Sequence, residues 1–305
     1  MAQAKFIPLL TRAAGLCNTK DPVRLSYDLK TGVSQLAQAV NVDIDLTGRI
    51  SRVTGYTRRT TDASHSAWSD GERCYFVSGN GLYRLLPGFS VVIVRAGTTV
   101  GARRSYASVG ARVYYTNGYE SGRIVGSQDE PWEKLDVIRP DNNKTYSDPP
   151  NGHLVAWAFG RLVVAKDNFL FASEPALYGN FDLSKYRSES SRITFLWSLP
   201  GERGGLLVGT ERGLAFYRGT KWEDVQRVPK LKCGVLEGSG AAADPKLLGV
   251  DGTAPVVVFT AESGIHYSDP EGVVHNMTVD DLKFPSGRTA SAAVVDSRYV
   301  VLIDP

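Results

Sequence analysis

One arrangement recurs along this chain: an apolar run, a short turn rich in glycine or asparagine, and a second apolar run. Tyr75-Phe76-Val77 passes through Ser78-Gly79-Asn80-Gly81 into Leu82-Tyr83-Arg84-Leu85, and Tyr114-Tyr115 through Thr116-Asn117-Gly118 into Tyr119. Leu162-Val163-Val164 reaches Phe169-Leu170-Phe171 by way of Lys166-Asp167-Asn168. Leu206-Leu207-Val208 reaches Leu214-Ala215-Phe216-Tyr217, and Val256-Val257-Val258-Phe259 reaches Ile265-His266-Tyr267, each across a four-residue turn. The anchors stand roughly 40 to 50 residues apart, the size of a four-stranded propeller blade. Hairpin turns require left-handed backbone, which glycine adopts freely and asparagine tolerates. Gly81, Gly118, Asn168, Gly213 and Gly264 are the residues expected to supply it.

The two ends complete the pattern. Arg288 to Ile303 reads as the first two strands of another copy, split by Asp296-Ser297. Val40 to Leu46 alternates apolar and polar residues, turns at Thr47-Gly48, and starts a second strand at Arg49-Ile50-Ser51-Arg52-Val53. The expectation is an all-β chain: a six-bladed β-propeller closed by pairing of N- and C-terminal strands. In this reading residues 1–38 are an extended N-terminal arm and 39–305 the propeller, with 39–60 and 286–305 sharing the closing blade. Closure removes the unpaired edges an open array would leave for aggregation. Asp182 to Arg192 and Gly234 to Pro245 are expected as rim loops.

Composition narrows the function classes. The 305 residues carry a formal net charge of +3, too small to diagnose a nucleic-acid partner. No apolar run approaches the ~20 residues of a membrane span, and Met1 to Lys5 lacks the apolar stretch of a secretory signal. Three scattered cysteines without a Cys-x-x-Cys pair argue against a disulfide framework or zinc site and for synthesis in a reducing cytoplasm. Asn41-x-Asp43-x-Asp45 has the opening spacing of a calcium loop, but Arg52 stands where the closing glutamate belongs, so the acids read as the solvent face of a strand.

Glycoside cleavage needs two carboxylates flanking the scissile bond, whereas Asp70, Asp167, Glu211, Glu262 and Asp296 each sit singly in turns. The four histidines show no metal-ligand spacing, and no nucleophile elbow or phosphate-binding loop is present. No catalytic residue, metal or cofactor is therefore expected. The basic groups Arg49, Arg52, Arg58 and Arg59, and the pair Arg103 and Arg104, are candidates for non-specific phosphate contact along a channel, with solvated strand edges as the alternative. Trp132, following Pro131 in a loop, is the candidate for an exposed contact.

Gly15-Leu16-Cys17-Asn18-Thr19-Lys20-Asp21-Pro22, Leu36 to Asp45 with its Ala39-Val40-Asn41-Val42 core, and Gly48-Arg49-Ile50-Ser51-Arg52-Val53-Thr54-Gly55-Tyr56 together resemble the opening of a family of tailed-bacteriophage virion proteins. These are the hub, nozzle or packaged-DNA stabilisation proteins of the head-to-tail junction or tail, in which such a hairpin precedes propeller blades. The resemblance covers about 45 residues; Val53-Thr54-Gly55 departs from the Arg-Pro-Gly often found there. It implies a non-enzymatic structural protein that assembles as a multi-copy ring and helps retain or conduct the genome. Its implied partners are portal, adaptor or tail proteins, copies of itself, and non-specific double-stranded DNA. The implied location is the virion, after synthesis in the host cytoplasm. Partner contacts are then expected from Phe6, Leu9, Leu10, Arg12 and Arg24 of the arm and from Trp132, and DNA contacts from the six arginines above. The rival readings are a carbohydrate-binding or glycoside-hydrolysing propeller and a soluble scaffolding propeller.

Overall fold

The computed structural model describes residues 12–28, 31–45, 47–53, 55, 62–136, 145–200, 205–248, 253–278, 281–295 and 298–304. These residues form a β-propeller of five four-stranded antiparallel blades, flanked by smaller sheets built from the two ends. Blade 1 comprises Ser64–Ser69, Cys74–Ser78, Gly81–Leu85 and Val91–Arg95; blade 2 comprises Ser105–Val109, Arg112–Thr116, Ser121–Val125 and Gln128–Glu130. Blade 3 runs through Leu154–Ala158, Arg161–Lys166, Phe169–Glu174 and Leu177–Ser188, and blade 4 through Ile193–Leu199, Gly205–Thr210, Gly213–Arg218 and Gln226–Leu231. Blade 5 comprises Ala241–Ala243, Val256–Ala261, Gly264–Ser268 and Val274–Asn276. Each blade pairs its strands in chain order; the first strands of blades 2, 3 and 4 meet in turn, and that of blade 5 meets Ala290–Val295.

The core is a set of seams between blades. In the second strand of blade 4, Leu206 and Val208 pack against blade 3, while Leu207, pointing the opposite way, packs against blade 5. Successive strand residues face opposite sides, so a strand buried on both faces must be apolar throughout. That is why Leu206-Leu207-Val208 is a continuous apolar run. Tyr75, Tyr106 and Tyr115 fill the seam between blades 1 and 2, and Val256, Val258, Val294 and Tyr299 the seam beyond blade 5.

Several expectations about turns and loops need correction. Gly213 of blade 4 has no positive φ, and the left-handed turn residue is Asp167 (φ 54°) rather than Asn168 in blade 3, and Gly79 (φ 56°) rather than Gly81 in blade 1. Lys166 pairs with Phe169 and Ser78 with Gly81, so each loop has two residues and the first carries the positive φ. Among the expected rim loops, Asp182 to Ser188 continues the 12-residue last strand of blade 3. Ala241–Ala243 is the innermost strand of blade 5, where short side chains suit the crowded axis.

The larger correction concerns closure. Ala290–Val295 and Arg298–Ile303 form a hairpin whose first strand follows blade 5 around the ring, but it remains a two-stranded sheet. Val42–Ile44 and Ile50–Arg52 form a second, separate hairpin. No ladder joins the two among the described residues; Arg298 reaches Asp43 by an ion pair of 2.5 Å instead. The physical reason lies at the turn of the N-terminal hairpin, where the Gly48 carbonyl accepts from the Ala13 N–H at 2.8 Å. A Cβ at Gly48, whose φ is +81°, would stand 2.5 Å from the Ala13 carbonyl oxygen, so only glycine allows this docking.

Within residues 1–38, expected as an extended arm, Arg12–Leu16, Val33–Leu36 and Tyr27–Asp28 build a sheet. The sheet clips to the segment entering the C-terminal hairpin. Asn18 donates from its backbone to the Asp281 carbonyl and from Nδ2 to the Lys283 carbonyl, and its Oδ1 accepts the Lys283 N–H at 2.9 Å. Gln35 donates to the Asp281 carboxylate at 3.2 Å.

Candidate functional site: the axial mouth

The N-terminal ends of the innermost strands converge on one end of the axis, and hydrogen bonds there run from sector to sector. Ser66 of blade 1 accepts from the Arg104 N–H at 2.8 Å. Ser105 of blade 2 accepts from the Val155 N–H at 3.0 Å and lies 3.2 Å from its carbonyl. His153 Nε2 donates to the Ile193 carbonyl at 2.6 Å, which links blades 3 and 4. Thr194 donates to the Val235 carbonyl at 2.6 Å, and Arg192 pairs with Glu237 at 2.8 Å, linking blade 4 to the entry of blade 5. The Ala290 N–H then donates to the Glu237 carbonyl at 2.7 Å.

Arg103 completes the circuit. From the start of blade 2 its Nη2 donates to the Ala290 carbonyl at 2.5 Å and the Ser291 hydroxyl at 2.8 Å, and its Nη1 to the Glu237 carbonyl at 3.4 Å. Gly238 (φ +79°) makes room, because a Cβ there would collide with the Ala290 carbonyl and stand 3.0 Å from the Arg103 guanidinium. One side chain therefore bridges the mouth from blade 2 to the C-terminal hairpin.

The charged groups at the mouth answer one another. Arg104, whose side chain is 1% exposed, pairs with Glu120 at 2.8 Å and lies over the Tyr115 ring. Burial alone would raise the Glu120 pKa, but bonds from the Thr99 hydroxyl and N–H and the Arg104 charge overcome it and hold the carboxylate ionised. His65 is held below the ordinary histidine value by burial, then by the neighbouring Arg103 and Arg104 charges. Burial lowers His153 likewise, against the pull of the Ile193 carbonyl. Both imidazoles are therefore neutral at pH 7. A small cleft of about 50 Å³ opens beside Arg192, Glu211, Glu237, Glu262 and Arg288. Ligand pockets usually start at ~300 Å³. No group of three potential metal ligands comes together among the described residues.

The sequence-expected contacts scatter. Arg103 and Arg104 lie at the mouth but are engaged within the chain. Arg49 and Arg52 are exposed on the N-terminal hairpin, Arg12 and Arg24 are exposed on the N-terminal sheet and a following short helix, and Phe6, Leu9, Leu10, Arg58 and Arg59 fall outside the described residues. Trp132 is not an exposed contact. It is 5% exposed, wedged edge-on between Tyr114 and Phe181, and donates from Nε1 to the Tyr178 carbonyl at 2.8 Å. The chain after Pro131 folds back, and the indole fills the seam between blades 2 and 3. The acids of the calcium-like pattern also have other tasks. Asp43 pairs with Arg298, and Asp45 caps its own turn by accepting from the Thr47 hydroxyl and the Thr47 and Arg49 N–H groups.

Sequence reasoning missed Ser66, Ser105, Glu120 and Glu237. Only Glu120, close behind the Asn117-Gly118 turn, carried a positional signal, since 2–3 turns line the same end as the inner-strand starts.

No family model and no curated protein matches the chain. Among solved structures it is similar to the extracellular domain of a protein described as a hybrid two-component system from B. thetaiotaomicron, at 12% identity over 81% of this chain and 32% of that one, with a TM-score of 0.47. A second such domain from the same organism gives 12% identity over 84% of this chain and 37% of that one, with a TM-score of 0.47. A gluconolactonase from Xanthomonas campestris gives 11% identity over 80% of this chain and 84% of that one, with a TM-score of 0.43. The chain thus spans about a third of the length of the two-component domains. Likeness at this level carries no information about activity.

Proposed function

We propose that this protein is a non-enzymatic structural component of a tailed-bacteriophage virion, placed at the head-to-tail junction or in the tail. Several copies would form a ring that joins neighbouring virion proteins and helps retain or conduct the genome. The observation that carries this reading is the N-terminal module. Residues 12–53, which hold the resemblance to phage hub and nozzle proteins, fold as a sheet and hairpin clipped to the propeller by Asn18 and Gln35. This module turns Val23, Val40 and Ile50 outward, with Val23 92% exposed, beside the exposed Arg12, Arg24, Arg49 and Arg52. Exposed apolar and arginine side chains together are the composition of a protein-contacting surface. At the axis, by contrast, Arg103, Arg104 and Arg192 bond within the chain.

In this reading the N- and C-terminal hairpins, bridged by Arg298 and Asp43, act as the sixth sector of the propeller, and packing against neighbours brings them into one closing blade. Light scattering after size exclusion, with negative-stain imaging, tests the ring. The expected result is a multi-copy annulus, or a monomer that enters one when mixed with the portal, adaptor or tail proteins of its virion. A persistent monomer that cleaves glycosides would overturn the reading in favour of a carbohydrate-active propeller.

A further inference from the structure

The seam between blades 1 and 2 contains a cluster of buried polar atoms that the axial circuit does not use. Arg104 gives Nη2 to Glu120, but its Nε and Nη1 are buried with no hydrogen-bond partner among the described residues. The same holds for His65 Nε2, the Tyr106 hydroxyl and the Thr98 hydroxyl. Tyr106 is 8% and Thr98 4% exposed.

Local geometry draws the first three residues together. Arg104 directly precedes the strand Ser105–Val109, in which Tyr106 lies two residues on. Tyr106 stands opposite Tyr115 in the ladder, and the Arg104 guanidinium lies 4.6 Å from the centre of the Tyr115 ring. Ser66, in a bulge of the facing strand and at φ +53°, accepts the Arg104 N–H at 2.8 Å and touches His65 Nδ1 at 2.8 Å. Ser66 already accepts from Arg104, so its own proton is free to go to His65 Nδ1. The imidazole is neutral, and that assignment puts its remaining proton on Nε2.

The unpartnered atoms then form a set of donors: Arg104 Nε–H and Nη1–H, His65 Nε2–H and the Tyr106 O–H. A buried donor without an acceptor loses its hydration with nothing in return. One water accepts at most two of these bonds, whereas a spherical anion accepts from every side.

We propose that this inter-blade cage binds a halide-sized monovalent anion, held by Arg104, His65 and Tyr106. The test uses the full chain exchanged into sodium methanesulfonate. Sodium bromide is titrated in at constant ionic strength while thermal unfolding is followed. A bound anion stabilises by mass action, so the midpoint should rise along a saturating curve, by roughly 2 °C when bromide reaches ten times its dissociation constant.

Arg104→Met removes a buried ion pair and endangers folding, so Tyr106→Phe is the discriminating variant. It keeps the stacking on Trp68 and removes one donor to the anion. The expected result is a folded variant that needs about tenfold more bromide for the same rise. A midpoint that ignores bromide, that rises linearly without saturation, or that rises identically in Tyr106→Phe overturns the proposal. Crystals grown in bromide give an independent check, since an anomalous peak within hydrogen-bond reach of Arg104 Nη1 is required. A cage holding only ordered water refutes it.

Discussion

Removing the Arg103 side chain should loosen one end of the molecule and leave the rest intact. In Arg103→Ala the guanidinium bonds to the Ala290 carbonyl, at 2.5 Å, and to the Ser291 hydroxyl, at 2.8 Å, disappear together with the longer contact to the Glu237 carbonyl. A hydrogen bond from a charged donor contributes about 1.5–3 kcal/mol, and the side chain is only half-buried, so the lower figure applies to each of the two short bonds. The loss is then about 3 kcal/mol, or a midpoint roughly 5 °C lower in a chain of this size. Arg103→Lys should fall between the two proteins, because an ammonium cannot span both acceptors as a planar fork does.

Amide hydrogen exchange provides the sharper readout. Protection should drop across Ala290–Val295 and Arg298–Ile303, whose hairpin has no third strand among the described residues, and stay unchanged in blades 3 and 4. A cycle with Ser291→Ala isolates the shared bond and should show coupling of about 1 kcal/mol. An Arg103→Ala protein within about 0.5 kcal/mol of the parent, or one losing protection evenly across all blades, would refute the idea that this residue ties the ring.

Three further outcomes follow from the same structure. Asn18→Ala removes two side-chain bonds to the Lys283 backbone, and limited proteolysis should release the N-terminal module at a protease concentration that leaves the parent whole. Trp132→Ala empties the seam between blades 2 and 3 and should cost about 3–5 kcal/mol in chemical denaturation, whereas an exposed tryptophan would cost less than 0.5 kcal/mol. Burial holds His153 and His266 below the ordinary histidine value of 6.5, so the unfolded chain takes up their protons first as the pH falls. Stability should be complete above pH 6.5 and decline below it, and the double variant with glutamine at both positions should show a shallower decline in denaturant titrations between pH 7 and 5.

How much of this was legible in the residues depended on range. Hairpins announced themselves because their partners are neighbours in sequence. The pairings of Phe76 with Tyr83, Val164 with Phe171 and Leu207 with Phe216 all join runs recognised from their apolar residues and turns. The C-terminal hairpin was readable for the same reason. Ala241–Ala243 was not, because three alanines carry no strand preference and their place is set by crowding at the axis. Trp132 looked exposed since a proline and a loop say nothing about which seam an indole will enter. The bridge from Arg103 to Ala290 spans 187 residues, and no local pattern encodes it. The missing sixth ladder has a similar origin. Alternation from Val40 to Leu46 foretold a hairpin, but the Ala13–Gly48 bond decided which surface it docks on.

The guanidinium lying across the mouth also limits how a genome could be handled. A duplex is far wider than an opening that one arginine spans, so no duplex threads a single propeller. In the proposed assembly a conduit would form at the centre of the annulus, with whole subunits as its wall. Its bore would then be fixed by subunit number and tilt, and the basic side chains that matter would be those on outer surfaces, Arg49 and Arg52 among them.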